Sequence, residues 1–249
     1  MIINQIVSGG SAPAHYIEKS VDANGKLVNS SNFIDLTGVT ELGDHVLYSA
    51  YQDNALITSI NFANIETISG SAALASTFQN CTGITSLAWN VKTISGDGCL
   101  QNTFHSCSNL QTADLSSTTS ITGNSFTFAR TFMNSGLTSI NMNGLNVIGT
   151  TLGWNSVSYA PFGGCAKLES ITFGGLTAST FANKQNQLQY IFNTNTGSQA
   201  PNGCTVHFPS NFDPSDPNHT FDASTLAGYP TFGGNASYIH VAFDLPATE

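Results

Sequence analysis

The side chains of this sequence that could do chemistry are 5 cysteines, 6 histidines and 15 carboxylates. Cys81, Cys99, Cys107, Cys165 and Cys204 are odd in number, so they cannot all pair within one chain, and no closed disulfide framework is expected. None of them has metal-ligand spacing to another. His15, His45, His105, His207, His219 and His240 never fall four apart beside a glutamate, so no zinc site is expected. Asp213, Asp216 and Asn218 carry oxygens suited to calcium, yet the loop offers few of the roughly six to eight that the ion takes, and its two prolines suggest a plain turn. There is no Gly-x-Ser-x-Gly elbow and no phosphate loop, and the carboxylates do not recur as fixed pairs. The expectation is a non-enzymatic chain with no catalytic residue, no metal and no cofactor, an uncharacterised enzyme being the third of three alternatives.

Composition narrows the partners. Charged residues make up 8% of the 249 positions, and the formal net charge is −9. The basic residues Lys19, Lys26, Lys92, Arg130, Lys167 and Lys184 are scattered, so no stripe neutralises phosphates and nucleic acid is not an expected partner. No stretch approaches the roughly 18 apolar residues of a membrane span, so membrane insertion is not expected. The first ten residues lack both a basic n-region and a continuous apolar h-region, and a secretory signal is not expected from them. Ser, Thr, Asn and Gly carry the polar surface, which suits a virion or extracellular location.

The elements that position these groups come from an internal repeat. Phe78-Gln-Asn-Cys81-Thr-Gly-Ile84-Thr-Ser-Leu87-Ala-Trp89 overlays Phe104 to Leu115, Phe162 to Phe173 and Tyr51 to Phe62 without a gap. A copy from Phe132 to Met142 is one residue shorter. The aromatic markers at 51, 78, 104, 132 and 162 lie 27, 26, 28 and 30 residues apart, a solenoid period. Phe192 to Pro209 reads as a degraded sixth unit and Phe33 to Leu42 as a leading half-unit. In each unit the last two apolar positions are two apart, which places them on one face of a short strand. The fold class expected is a leucine-rich-repeat-like solenoid: a parallel sheet with one short strand per 26–30 residue repeat, irregular on its other face. The aromatics turn inward beneath it. Cys81, Cys107 and Cys165 are expected to be buried, reduced ladder residues.

The Phe-x-x-Cys-x-x-Leu-x-x-Ile module resembles the BspA-like (Treponema pallidum type) leucine-rich repeats of bacterial surface proteins. A further resemblance is to leucine-rich-repeat proteins of gut Firmicutes phages, carried by Gly9-Gly10, by Ile34 to Gly38, by Val206 to Ser210 and by Asp244 to Thr248. The resemblance implies host attachment as a phage virion tail-associated component, or adhesion as a bacterial cell-surface protein. It implies a host surface glycan or protein and other virion proteins as partners, with a homo-oligomer also open. It brings no catalytic residues.

Domain organisation follows from the repeat. Residues 1–32 read as an N-terminal cap or docking arm, 33–209 as the solenoid, and 210–249 as a C-terminal cap whose Tyr238 to Phe243 alternates like a strand. If Ile60, Leu87, Ala113, Ile140 and Ile171 point inward, then Ser59 and Asn61, Ser86 and Ala88, Thr112 and Asp114, Ser139 and Asn141, and Ser170 and Thr172 point outward. These rows are the candidate recognition face, although short polar side chains also suit any exposed strand. Replacing Asn61, Asp114 and Asn141 with Lys is expected to leave folding nearly intact and abolish attachment.

Overall fold

The computed structural model describes residues 3–7, 15–21, 27–28, 33–34, 39–124, 126–149, 152, 157–177, 188, 190–192, 203–213, 215–217 and 239–248. Within 1–32, β1 (Ile3–Val7), β2 (His15–Val21) and β3 (Leu27–Val28) form an antiparallel sheet in that order. Gly9, Gly10 and Pro13 lie outside the described residues.

All other strand pairs are parallel. One series consists of β4 (Phe33–Ile34), β6 (Ser59–Phe62), β8 (Ser86–Trp89), β10 (Thr112–Asp114), β12 (Ser139–Asn141), β14 (Ser170–Thr172), β15 (Cys204–Pro209) and β16 (Ile239–Leu245). It forms the sheets β4-β6-β8 and β10-β12-β14-β15-β16, with β8 and β10 side by side. The second series is β5 (Glu41–Leu42), β7 (Thr67–Ile68), β9 (Thr93–Ile94), β11 (Ser120–Ile121) and β13 (Val147–Ile148), paired in sequence order. Helix among the described residues is confined to 3-10 turns at Val157–Tyr159 and Ser210–Phe212.

The expectation of one strand per unit therefore needs correction, because the units that begin at Tyr51, Phe78, Phe104 and Phe132 each carry two. The second is a dipeptide such as Thr67-Ile68 or Thr93-Ile94, whose isoleucine is fully buried while its polar partner stays half-exposed. A β-branched residue suits that extended, half-buried setting. Glycine makes the corner that follows. A Cβ on Gly96 would lie 2.0 Å from the Gly70 carbonyl oxygen, so only glycine lets successive corners stack this closely.

Where it is described, the remaining stretch of a unit is ordered by a regular hydrogen-bond pattern. Between the second strand and the cysteine, alternate amides bond to the next unit: Leu74, Ser76, Phe78 and Asn80 donate to the carbonyls of Cys99, Gln101, Thr103 and His105 at 2.8–3.0 Å. The amides between them close local turns, as in Thr77 to Leu74 and Gln79 to Ser76. Every fourth residue has positive φ, for example Ala72, Ser76 and Asn80 at 50°, 55° and 61°. This conformation is costly for a side chain other than glycine, and here it is held by two sets of backbone bonds that satisfy nearly every amide of a buried tract.

Side chains from all three stretches fill the interior. Tyr51, Phe78, Phe104, Phe132, Phe162 and Phe192 form one continuous ring stack with successive centroids 5.9, 5.7, 5.3, 6.1 and 6.3 Å apart. Phe78, Phe104 and Phe162 are fully buried. Such pairs contribute about 0.5–1.5 kcal/mol each beyond their buried area. Beside the stack the hydroxyls of Thr77, Thr103 and Thr131 are buried and donate to the carbonyls of Leu47, Leu74 and Leu100 one unit earlier, at 2.7, 2.9 and 3.0 Å.

At the C-terminal side the expected strand is present as β16, paired parallel with β15 in the register Thr205 with His240 and His207 with Ala242. His207 Nδ1 reaches both carboxylate oxygens of Asp244, at 2.8 and 2.9 Å. Asn211 and Thr248 exchange two hydrogen bonds, and the Thr248 hydroxyl donates to the Leu176 carbonyl at 2.7 Å. The two short sequence signatures, Val206 to Ser210 and Asp244 to Thr248, thus lie against each other.

Candidate recognition face

Alternation along the first strand series sorts the side chains. Ile60, Ala113, Ile140 and Ile171 are buried and Leu87 is partly buried against the core. Asn61, Ser86, Ala88, Thr112 and Asp114 are exposed, while Ser59, Ser139, Asn141, Ser170 and Thr172 are half-buried. The ladders align these into two rows, Ser59 with Ser86 and Asn61 with Ala88 on one sheet. On the other, Thr112, Ser139 and Ser170 share one row, and Asp114, Asn141 and Thr172 the next.

The rows extend beyond the ten positions expected from the sequence. The register continues Ser170 to Thr205 to His240, and Thr172 to His207 to Ala242. The alternation Val206-His207-Phe208 and Ile239-His240-Val241 carried that signal, but the lost aromatic-cysteine frame of the sixth unit hid it.

The second row does structural work of its own. The side-chain oxygens of Asn61, Asp114 and Asn141 each accept the amide two residues on, from Ala63, Ser116 and Asn143, at 3.0 Å. These turns end the strand and fold the chain toward the second series. Asn141 also accepts the Thr172 hydroxyl at 3.2 Å. Replacing the three with Lys removes three turn acceptors, so in that variant a loss of attachment is not separable from a loss of turn geometry. Ser86, Thr112 and Ser139 lie in the first row and take no part in these turns.

The cysteines lie inside. All five are free thiols and buried. The thiols of Cys81, Cys107 and Cys165 donate to the carbonyls of Tyr51, Phe78 and Phe132 at 2.9, 3.2 and 3.0 Å. Burial pushes Cys81, Cys99 and Cys204 up to about 12 and Cys165 up to about 11, so none offers a thiolate near neutral pH. Asp213 spends one oxygen on the amide and hydroxyl of Ser215, at 2.9 and 2.7 Å, in a turn. Asn218 lies outside the described residues. Among the described residues no three His, Cys, Asp or Glu side chains gather into a metal donor set, and no helix is long and apolar enough to cross a membrane.

No protein-family model, no curated protein and no solved structure matches the chain.

Proposed function

We propose that the chain is a leucine-rich-repeat-like solenoid of BspA type, acting without catalysis as a tail-associated virion component in host attachment. The observation that carries this reading is the pair of polar rows, in register from β6 to β8 on one sheet and from β10 to β16 on the next. Such a face offers many hydrogen-bonding groups and almost no charge, which suits a glycan or a polar protein surface. Each contact is weak, so several copies on one particle supply the avidity. A bacterial surface adhesin would use the same face.

The test keeps the turn acceptors and changes the first row. A Ser86→Lys, Thr112→Lys, Ser139→Lys variant is compared with the parent for binding of labelled protein to cells of gut Firmicutes and to a glycan array. The expected result is an unchanged circular dichroism spectrum and lost binding. Binding equal to the parent in a folded variant removes the strand face from the reading.

A further inference from the structure

Arg130 is the chain's one arginine, and it lies on the turn tract, away from both rows. Its guanidinium is held on two sides. Nε donates to the Ser158 carbonyl at 2.6 Å, and Cζ sits 4.6 Å from the centroid of the Tyr159 ring. Tyr159 is braced by Phe126, whose ring meets it edge-on at 5.5 Å and 83°. The backbone repeats the connection, since the Arg130 amide donates to the Tyr159 carbonyl at 3.0 Å.

Among the described residues, the two terminal nitrogens have no hydrogen-bond partner. Although the chain has 15 carboxylates, Arg130 forms no ion pair with any of them among the described residues. A guanidinium fixed by stacking and by its Nε bond has lost its rotational freedom already, so it presents its terminal edge in the fork that matches a carboxylate. Burial, and then the charge of Arg130, lower the pKa of His105, which disfavours a second positive charge beside the guanidinium. Around the fork stand half-buried Phe126 and Tyr159 and the exposed Ser158.

The geometry points to a second ligand site on the turn tract: Arg130, flanked by Tyr159 and Phe126, binds a carboxylate-bearing sugar of the uronic acid kind. The guanidinium edge takes the carboxylate in two parallel hydrogen bonds, and the aromatic surface packs against the sugar ring. The site stands apart from the strand face and does not depend on its role.

Because the arginine is unique, its Nε–Hε group gives a single, unambiguous NMR signal. The uniformly labelled protein is titrated with glucuronate, with glucose as the uncharged counterpart and with inorganic phosphate as a sugarless anion. The expected result is a saturable shift of the Arg130 Nε signal and of the Phe126 and Tyr159 amides with glucuronate alone. R130Q, whose other amide signals stay in place, loses at least about tenfold in affinity, and R130K, which keeps the charge but not the fork, loses nearly as much. No shift at millimolar glucuronate, an equal response to glucose, phosphate binding as tight as glucuronate, or unchanged binding by R130Q each overturns the assignment.

Discussion

The thiol of Cys107 donates to the main-chain carbonyl of Phe78, 3.2 Å away and one unit earlier in the chain. Cys81 stands in the same relation to Tyr51, and Cys165 to Phe132. The aromatic and the cysteine of the sequence module are thus coupled across units, the carbonyl of one receiving the thiol of the next. Where an earlier unit supplies the carbonyl, the position carries a small thiol or hydroxyl, whereas Asn54 of the first copy accepts the Leu56 amide instead. Ser135, which occupies it in the copy that begins at Phe132, is also buried and makes a 3.4 Å contact with Cys165.

Removing that donor leaves a buried carbonyl one partner short. Because the Phe78 carbonyl still accepts the Cys81 amide at 3.0 Å, Cys107→Ala is expected to cost about 0.5–1.5 kcal/mol in a urea unfolding experiment, the net contribution of one hydrogen bond. Cys107→Ser, which keeps a donor of similar size, should cost less. Equal losses in the two variants would show that the thiol is held by packing alone.

The same thiols make stability fall in alkali. An unfolded cysteine ionises near 9.0, whereas the folded values are about 11 for Cys165 and about 12 for Cys81, Cys99 and Cys204. Between those limits the folded chain holds protons that the unfolded chain has released. Stability is therefore fully present below pH 9 and declines above it, each thiol adding up to about 1.4 kcal/mol per pH unit. Urea midpoints measured from neutral pH to about pH 10.5 should show the fall, and a Cys165→Ser variant a shallower one. A flat profile contradicts the burial of the thiols in solution.

Two neighbouring glycines should respond differently to a methyl group. Gly96→Ala puts a Cβ 2.0 Å from the Gly70 carbonyl oxygen, a clash between backbones that only a shift of whole units relieves. A loss of about 3 kcal/mol or more is expected, at or above the upper end for overpacking. Gly98 has φ of +60° but no atom within 3.4 Å of a new Cβ, and Ala72 occupies the matching position one unit earlier with φ of 50°. Gly98→Ala should cost only about 1–2 kcal/mol, the left-handed penalty of one residue. Thermal unfolding of the two variants distinguishes them, and a reversed order would mean that the corners do not stack.

Phe104 lies between Phe78 and Phe132, at 5.7 and 5.3 Å, with interplanar angles of 8° and 15°. Phe104→Ala should cost about 3–5 kcal/mol by denaturant unfolding, as other core phenylalanine truncations do. A loss below about 1 kcal/mol is incompatible with the stack.

What the sequence disclosed follows from where its pattern is strongest. The Phe-x-x-Cys-x-x-Leu-x-x-Ile frame placed the aromatic stack, the buried thiols and the inward positions Ile60, Ala113, Ile140 and Ile171, because large apolar side chains at fixed offsets have few places to go. The second strand was missed although Thr67-Ile-Ser-Gly70, Thr93-Ile-Ser-Gly96 and Ser120-Ile-Thr-Gly123 spell it as plainly. Two-residue strands fall below the length at which alternation becomes visible. The turn tract was unreadable for another reason. Its positive-φ positions carry His45, Ala72, Asn102 and Arg130, and residue type there does not announce backbone conformation. On the recognition face, the outward direction was legible, whereas the engagement of Asn61, Asp114 and Asn141 in turns depends on a backbone amide that only the folded chain brings near.

Alternating amides give the turn tract a phase. In the unit that contains Phe104, the amides of Leu100, Asn102, Phe104 and Ser106 face the next unit, and those of Gln101, Thr103, His105 and Cys107 face their own chain. Deleting one residue exchanges the two sets, so every amide beyond the deletion aims the wrong way. Deleting two restores the alternation but displaces the left-handed residues, which recur every fourth position. Only four-residue steps keep both. Length differences between units must therefore enter elsewhere, and the longest spacing, from Phe132 to Phe162, places its extra residues between Ile148 and Val157, ahead of the tract. That stretch of the sequence is where a foreign segment can be grafted, or the natural one lengthened, without putting the stack out of frame.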